Sequence, residues 1–214
     1  MAKAKNLFNF AVILLLLVGL PLGSFYYLRT GFDYRAEMIY SQDDFGKMPD
    51  LRRLEPVRGQ LPDSLRGSMN VVGWLDPTKE AGTRVYGQML DSLYQQFENS
   101  PHLYFTTIIL ADDPARAASE FAERYNLPDT EMINFLRANS REFAETAEQF
   151  QLPLGTYDSP GIQPVVALVD SSLTVVKHYD LARRDETVGL VQLISVIIPL
   201  PEKADIVERR PREL

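Results

Sequence analysis

The stretch from Gly161 to Asp180, GIQPVVALVDSSLTVVKHYD, constrains the fold more than any other part of this chain. Val165 to Val169 reads as a buried strand, Asp170 to Ser172 supply turn chemistry, and Thr174 to Tyr179 return with β-branched and aromatic residues. Two antiparallel strands follow from that pattern. Pro164 has no N–H to give to a ladder, so it belongs at the first position of the incoming strand. A type VI turn would put it there with a cis Gln163–Pro164 bond.

A chain of 214 residues with 45% hydrophobic content can bury one core of about 150 residues, so one domain with attachments is expected. The formal charge of −7 and pI near 4.9 argue against nucleic acid as a partner, because phosphate binding requires clustered Lys and Arg. The absence of cysteine excludes disulfides, thiolate nucleophiles, CxxC redox pairs and Cys-ligated zinc or copper within the chain. It says nothing about the compartment.

Lys3 and Lys5 precede a run without charge up to Arg29, and Phe8 to Leu28 is almost wholly apolar. About 20 apolar residues cross a bilayer as a helix. A cleaved signal peptide would have a shorter apolar core and small residues at its cleavage site, whereas Phe25, Tyr26 and Tyr27 follow here. Residues 1–29 are therefore expected to be an uncleaved anchor, with Gly19 and Pro21 tolerated in it. The lysines favour a cytoplasmic N-terminus and put the remainder outside, which in a bacterium means an inner-membrane anchor and a periplasmic domain. Residues 30–48 read as a linker, 49–198 as the folded domain and 199–214 as a charged, proline-bearing tail expected to be mobile.

Within the domain, residues 51–67 suggest an edge hairpin, and Ser68 to Leu75 a buried central strand ended by Asp76-Pro77. Val85, Tyr86, Met89, Leu90, Leu93, Tyr94 and Phe97 recur at spacings of three and four, which predicts a helix over 80–97. His102 to Leu110 is a second central strand, and Asp113-Pro114 opens a second helix. A β-α-β-α order implies parallel strands with a right-handed crossover. Residues 129–137 and 140–150 read as two short helices. Asp185 is expected to cap a last helix with Val188, Val191, Ile194, Ile197 and Ile198 toward the sheet.

This order is similar to the thioredoxin-like fold, an α/β mixed sheet flanked by helices, here preceded by one N-terminal transmembrane helix. MNVVGWLD resembles the first core strand of the Sco (SenC-type) family, ILADDPARAASEFAERYN its strand-to-helix stretch, and YDSPGIQPVVALVDSSLTVVKHYD its closing hairpin. The peroxiredoxin and bacterial TlpA-like branches of the fold stay open. Sco proteins are membrane-tethered copper chaperones and thiol reductases of cytochrome c oxidase assembly. The resemblance, over about residues 49 to 198, therefore implies a protein partner such as a respiratory complex or its assembly factors. It also implies a CxxxC motif near Pro77 to Gly82, where this chain reads PTKEAG, and a histidine ligand near Asp158 to Gln163, where it reads DSPGIQ. No catalytic residue, metal ligand or cofactor carries over; only the structural proline, Pro164, does.

The expectation is a non-enzyme that binds through the face around Trp74 to Glu80 and Tyr157 to Pro164. Trp74, Asp76, Glu80, Tyr157 and Asp158 are its candidate contacts. A structural subunit of a membrane complex is one alternative. Another is a metal-dependent enzyme using Asp76, Asp112, Asp113 and Asp158, which this fold would bring to one edge and which a hard cation would suit. The same four fit helix and turn capping. His102 and His178 are too few for a copper or zinc site.

Overall fold

The computed structural model describes residues 12–40, 42–152 and 164–198, so the tail, Tyr157, Asp158 and the Gln163–Pro164 bond lie outside the described residues. Two compact units divide at Gln42 and Asp43. The first is an exposed apolar helix, α1 (Leu20–Tyr40), entered through a π-helical turn at Leu15–Gly19. Val12–Asp33, 22 residues, is long and apolar enough to cross a membrane. The wide turn sits just before Pro21, whose ring cannot share space with the carbonyl one α-turn back; the i→i+5 bond from Leu20 N–H to Leu15 O adjusts the ladder there.

The second unit is a six-stranded sheet in the order β1-β4-β3-β2-β5-β6. Its strands are β1 (Glu55–Arg58), β2 (Met69–Leu75), β3 (Leu103–Ile109), β4 (Ile133–Arg137), β5 (Val165–Val169) and β6 (Val175–Asp180). The helices are α2 (Glu80–Phe97), α3 (Pro114–Arg124), α4 (Ser140–Gln149) and α5 (Arg184–Ile197). β2, β3 and β4 run parallel, while β1, β5 and β6 join antiparallel. The crossover β2-α2-β3, the Asp113 cap of α3 and the hairpin β5-β6 stand where the residue patterns put them.

Every residue of β2 is buried, because helices or loops cover both faces and strands pair both edges. On one face Val72, Trp74, Ile108, Leu136, Val165, Ala167 and Val169 pack under α4 through Phe143, Ala147 and Phe150, with Leu51 and Leu54 beside them. On the other, Tyr86 of α2 stacks on Phe121 of α3, which meets Phe135 of β4 edge-on. The Tyr86 hydroxyl hydrogen-bonds Thr107 Oγ1 at 2.7 Å. Gly73 makes this contact possible, since a Cβ there would lie 2.3 Å from the Tyr86 oxygen.

Three expectations are corrected. Residues 129–137 are not a helix: Ile133–Arg137 is the third parallel strand, with Ile133, Asn134, Phe135 and Leu136 all buried. Its buried residues are consecutive rather than spaced by three and four, as a strand covered on both faces requires. The edge hairpin over 51–67 supplies only β1, which pairs with β4. A 3₁₀ turn, Leu51–Arg53, precedes it, and Gly59 at φ +72° turns the chain away after it. Finally, α5 begins at Arg184, so Asp185 lies in its first turn instead of capping it. Its buried face is Leu190, Leu193 and Ile194, and Val188 is 46% exposed.

Within the stretch read as a linker, which had room for a short strand or helix, Asp43–Met48 runs along the outer side of the hairpin, with Asp43 N–H donating to Val176 O at 2.9 Å, Phe45 N–H to Val175 O at 3.0 Å and Met48 N–H to Leu173 O at 2.8 Å. Lys47 Nζ secures it to Thr174 Oγ1 at 2.8 Å.

Gly73→Ala is expected to lower unfolding stability by about 2–3 kcal/mol, because the added methyl collides with a buried ring that has nowhere to retreat. Urea unfolding monitored by circular dichroism checks this, and an added Tyr86→Leu change should recover part of the loss.

Candidate functional site

β2 delivers its carboxyl end into the turn Asp76-Pro77-Thr78-Lys79, and α2 starts at Glu80. Asp76 Oδ1 accepts from Thr78 N–H at 3.0 Å and from Thr78 Oγ1 at 2.6 Å. The Asp76 carbonyl accepts from Lys79 N–H at 3.0 Å and from Thr83 Oγ1 at 3.2 Å. The aspartate thus closes an Asx turn on its own backbone. Glu80 is exposed in the first turn of α2, where its charge faces the positive end of the helix dipole. Across the sheet, Pro164 is buried at the head of β5 and its carbonyl accepts from Leu181 N–H at 3.1 Å.

Trp74 does not belong to this surface. It is 0% exposed, its Nε1–H donates to Thr146 Oγ1 at 3.2 Å, and its ring meets Phe150 edge-on at 5.1 Å between centroids. The expected aromatic anchor is a core residue. β2 alternates faces, and position 74 points to the side covered by α4, so the indole finds its polar partner there. Of the expected contacts, Asp76 and Glu80 stay at the surface of the described domain.

Among the described residues, Asp76, Asp112 and Asp113 do not gather with a further ligand-type side chain into a metal-holding group either. Asp113 caps α3 by accepting from Arg116 N–H at 3.1 Å. Asp112 lines a polar cleft of about 390 Å³ at the carboxyl ends of β3 and β4, together with Arg53, Glu55, Arg137, Asn139 and Glu142. Glu55 is already paired with Arg137 at 2.7 Å, and Glu142 closes a capping box with Asn139. Among the described residues, no three His, Asp or Glu side chains gather to hold a metal ion. The cleft went unseen in the sequence because its floor is the carboxyl end of β4, a stretch whose pattern suggested helix.

His102, at the start of β3, contributes its backbone carbonyl to Met69 N–H. His178 is a clamp. Its Nε2 lies 2.8 Å from Phe150 O, and its ring rests 4.3 Å from the Phe45 ring. Gln151 Nε2 donates to Phe45 O at 2.7 Å, so β6, the end of α4 and the Asp43–Met48 segment meet at one point. Burial holds the His178 pKa below the ordinary imidazole value; the Phe150 carbonyl and Asp43 oppose that shift.

No family model and no curated protein sequence matches the chain. Among solved structures, a putative protein disulfide isomerase from Bacteroides thetaiotaomicron superposes with a TM-score of 0.52 at 16% identity, covering 68% of this chain and 84% of that one. The domain is thioredoxin-like. BsSco, described as a member of the Sco family of cytochrome c oxidase assembly proteins, aligns at 14% identity and TM-score 0.48 over 73% of this chain and 100% of its own. Copper-bound ScoI of Bradyrhizobium japonicum aligns at 14% and 0.45 over 67% and 95%. In this thioredoxin-like domain the turn after β2 holds no thiol: its side chains are spent on holding the turn itself.

Because the folded state binds the His178 proton less readily than the unfolded chain does, this group's contribution to stability is complete above the unfolded imidazole pKa, near 6.5. It is lost as pH falls from there toward the lower folded value. Urea midpoints measured from pH 7.5 down to 5.5 should decline, and His178→Gln should flatten that decline while leaving a donor for Phe150 O.

Proposed function

We propose that this chain is a single-span membrane protein whose thioredoxin-like domain, outside the cytoplasm, works by binding and not by thiol or copper chemistry. The observation that carries the reading is the β2–α2 turn. Asp76, Thr78 and Thr83 satisfy one another there and no cysteine is present, so the position from which this fold ordinarily attacks a disulfide carries a closed polar turn. Thiolate is the nucleophile of disulfide exchange and a preferred ligand of Cu(I).

The apolar Val12–Asp33 helix supports the anchor, and Lys3 and Lys5 favour a cytoplasmic N-terminus. The partner is inferred from the segments that resemble Sco proteins, MNVVGWLD, ILADDPARAASEFAERYN and the closing hairpin. On that basis the domain is an accessory factor in respiratory-complex assembly, cytochrome oxidase foremost, residing in the bacterial inner membrane. Residues 43–214 hold 27 of the 29 acidic and 18 of the 22 basic residues, a net −9, which favours a partner with a basic docking face.

Affinity recovery of the full chain from gently solubilised, cross-linked membranes should bring down oxidase subunits or their assembly factors in substoichiometric amount. Removal of the chain should lower assembled oxidase without changing subunit synthesis. The purified protein should neither reduce a disulfide substrate nor retain Cu(I) through gel filtration. Constant one-to-one recovery with a mature complex would make it a structural subunit instead, and stoichiometric copper would overturn the reading.

A further inference from the structure

Two arginines of this acidic domain line one cleft without an acidic partner. The first turns of α2, with Glu80, Ala81 and Arg84, and the end of α3, with Arg124 and Tyr125, enclose a hollow of about 440 Å³. Positions 80, 81, 84 and 87 lie on one side of α2. Gly87 has no Cβ there, and the Tyr125 ring takes the space. That ring also meets Phe121 at 4.9 Å between centroids, so the end of α3 is seated against α2 and Arg124 comes to the same hollow as Arg84.

Elsewhere the helices match arginine with a carboxylate four residues on, Arg116 with Glu120 at 2.7 Å and Arg141 with Glu145 at 2.6 Å. Arg84 and Arg124 have the same opportunity, with Glu80 and Glu120 four residues before them, the order that favours pairing on a helix. Neither pair forms. Glu120 is taken by Arg116, and among the described residues the guanidinium groups of Arg84 and Arg124 have no hydrogen-bond or ion-pair partner. Both side chains are exposed, so the missing pairs cost little stability, and two forks of donors are left at one hollow.

We infer that this cleft receives a carboxylate side chain of the partner protein, held between the two guanidinium groups. The inference rests on the binding role proposed for the domain and adds a fixed point to it. Arg84, Arg124 and Glu80 leave the cleft with one net positive charge, which a single carboxylate neutralises; a phosphate dianion would bring excess negative charge beside Glu80. Anionic lipid is disfavoured by the surrounding domain, whose residues 43–214 carry a net −9. A lone acidic residue within a basic docking face meets both conditions, since its surround is drawn to the domain and the acid itself finds two matching donors. A reversed pair of this kind sets the register of docking more than its strength.

Arginine Nε–Hε resonances of the detergent-solubilised full chain read the site directly. Titration with a blocked pentapeptide, one glutamate flanked by lysines, should shift the Arg84 and Arg124 signals together and to saturation, and the glutamine analogue of that peptide should not. Arg66 and Arg184, exposed arginines likewise without a side-chain partner, should respond alike to the two peptides. Arg84→Glu with Arg124→Glu should weaken the glutamate peptide by about tenfold or more. Arg66→Glu with Arg184→Glu, an equal change of net charge, should alter it less than about twofold at physiological salt. Equal response to the two peptides at all four arginines would overturn the proposal, as would tighter saturation by inorganic phosphate or by phosphatidylglycerol added to the micelle. In cross-linked membranes, oxidase factors should be lost with the Arg84 and Arg124 reversals and kept with the control pair. Unchanged recovery in both would leave the binding role standing and refute the cleft; no recovery from the native chain would refute the binding role, and the peptide titration would then decide the cleft alone.

Discussion

A strand buried at all seven residues can exist only if every backbone donor and acceptor in it finds a partner within the protein, and β2 is such a strand. The demand is met by β3 on one edge and β5 on the other. The parallel neighbour requires a crossover, which is α2, and the antiparallel neighbour brings the hairpin β5-β6 from the far end of the chain. Covering the two faces then fixes the places of the other helices. Asp76 and Pro164 are held beside the carboxyl edge of the parallel strands by this arrangement, whether or not any chemistry is performed there.

Much of this was legible in the residues. The helix over 80–97 announced itself by spacing, the second helix by Asp113-Pro114, and the hairpin by β-branched runs on either side of Asp170 to Ser172. β4 was not legible, because INFLR is too short to show a period and its asparagine, fully buried in the fold, resembles a solvent-facing residue on paper. Trp74 illustrates a related difficulty. Sequence places it one residue from the end of β2, but only the packing of α4 decides that the indole turns inward to Thr146. The Asp43–Met48 segment was hidden for another reason: its pairing depends on residues 125 or more positions away, and nothing local in DDFGKM signals a strand edge.

Charge separates the two parts of the chain as sharply as hydrophobicity does. Residues 1–42 hold four basic and two acidic residues, whereas the domain is strongly acidic. An acidic domain is repelled by anionic lipid headgroups and by nucleic acid. The ion pairs on its surface, such as Arg116 with Glu120 and Arg141 with Glu145, are exposed helix pairs whose contribution to stability is small. The domain is held together by its core, and its stability does not depend on these surface charges.

Tyr86, on α2, fills the space left by Gly73 on β2; one residue further along the same helix, Gly87 leaves a space that the Tyr125 ring at the end of α3 fills, a Cβ there lying 2.3 Å from the ring. Strand, helix and second helix are thus keyed in series, each peg seated in the next element's notch. A helix keyed on two sides cannot slide along its axis in the small steps by which packed helices usually transmit shear. Any signal that a partner delivers to the amino end of α2 must travel as a tilt of the whole three-element block, or not at all.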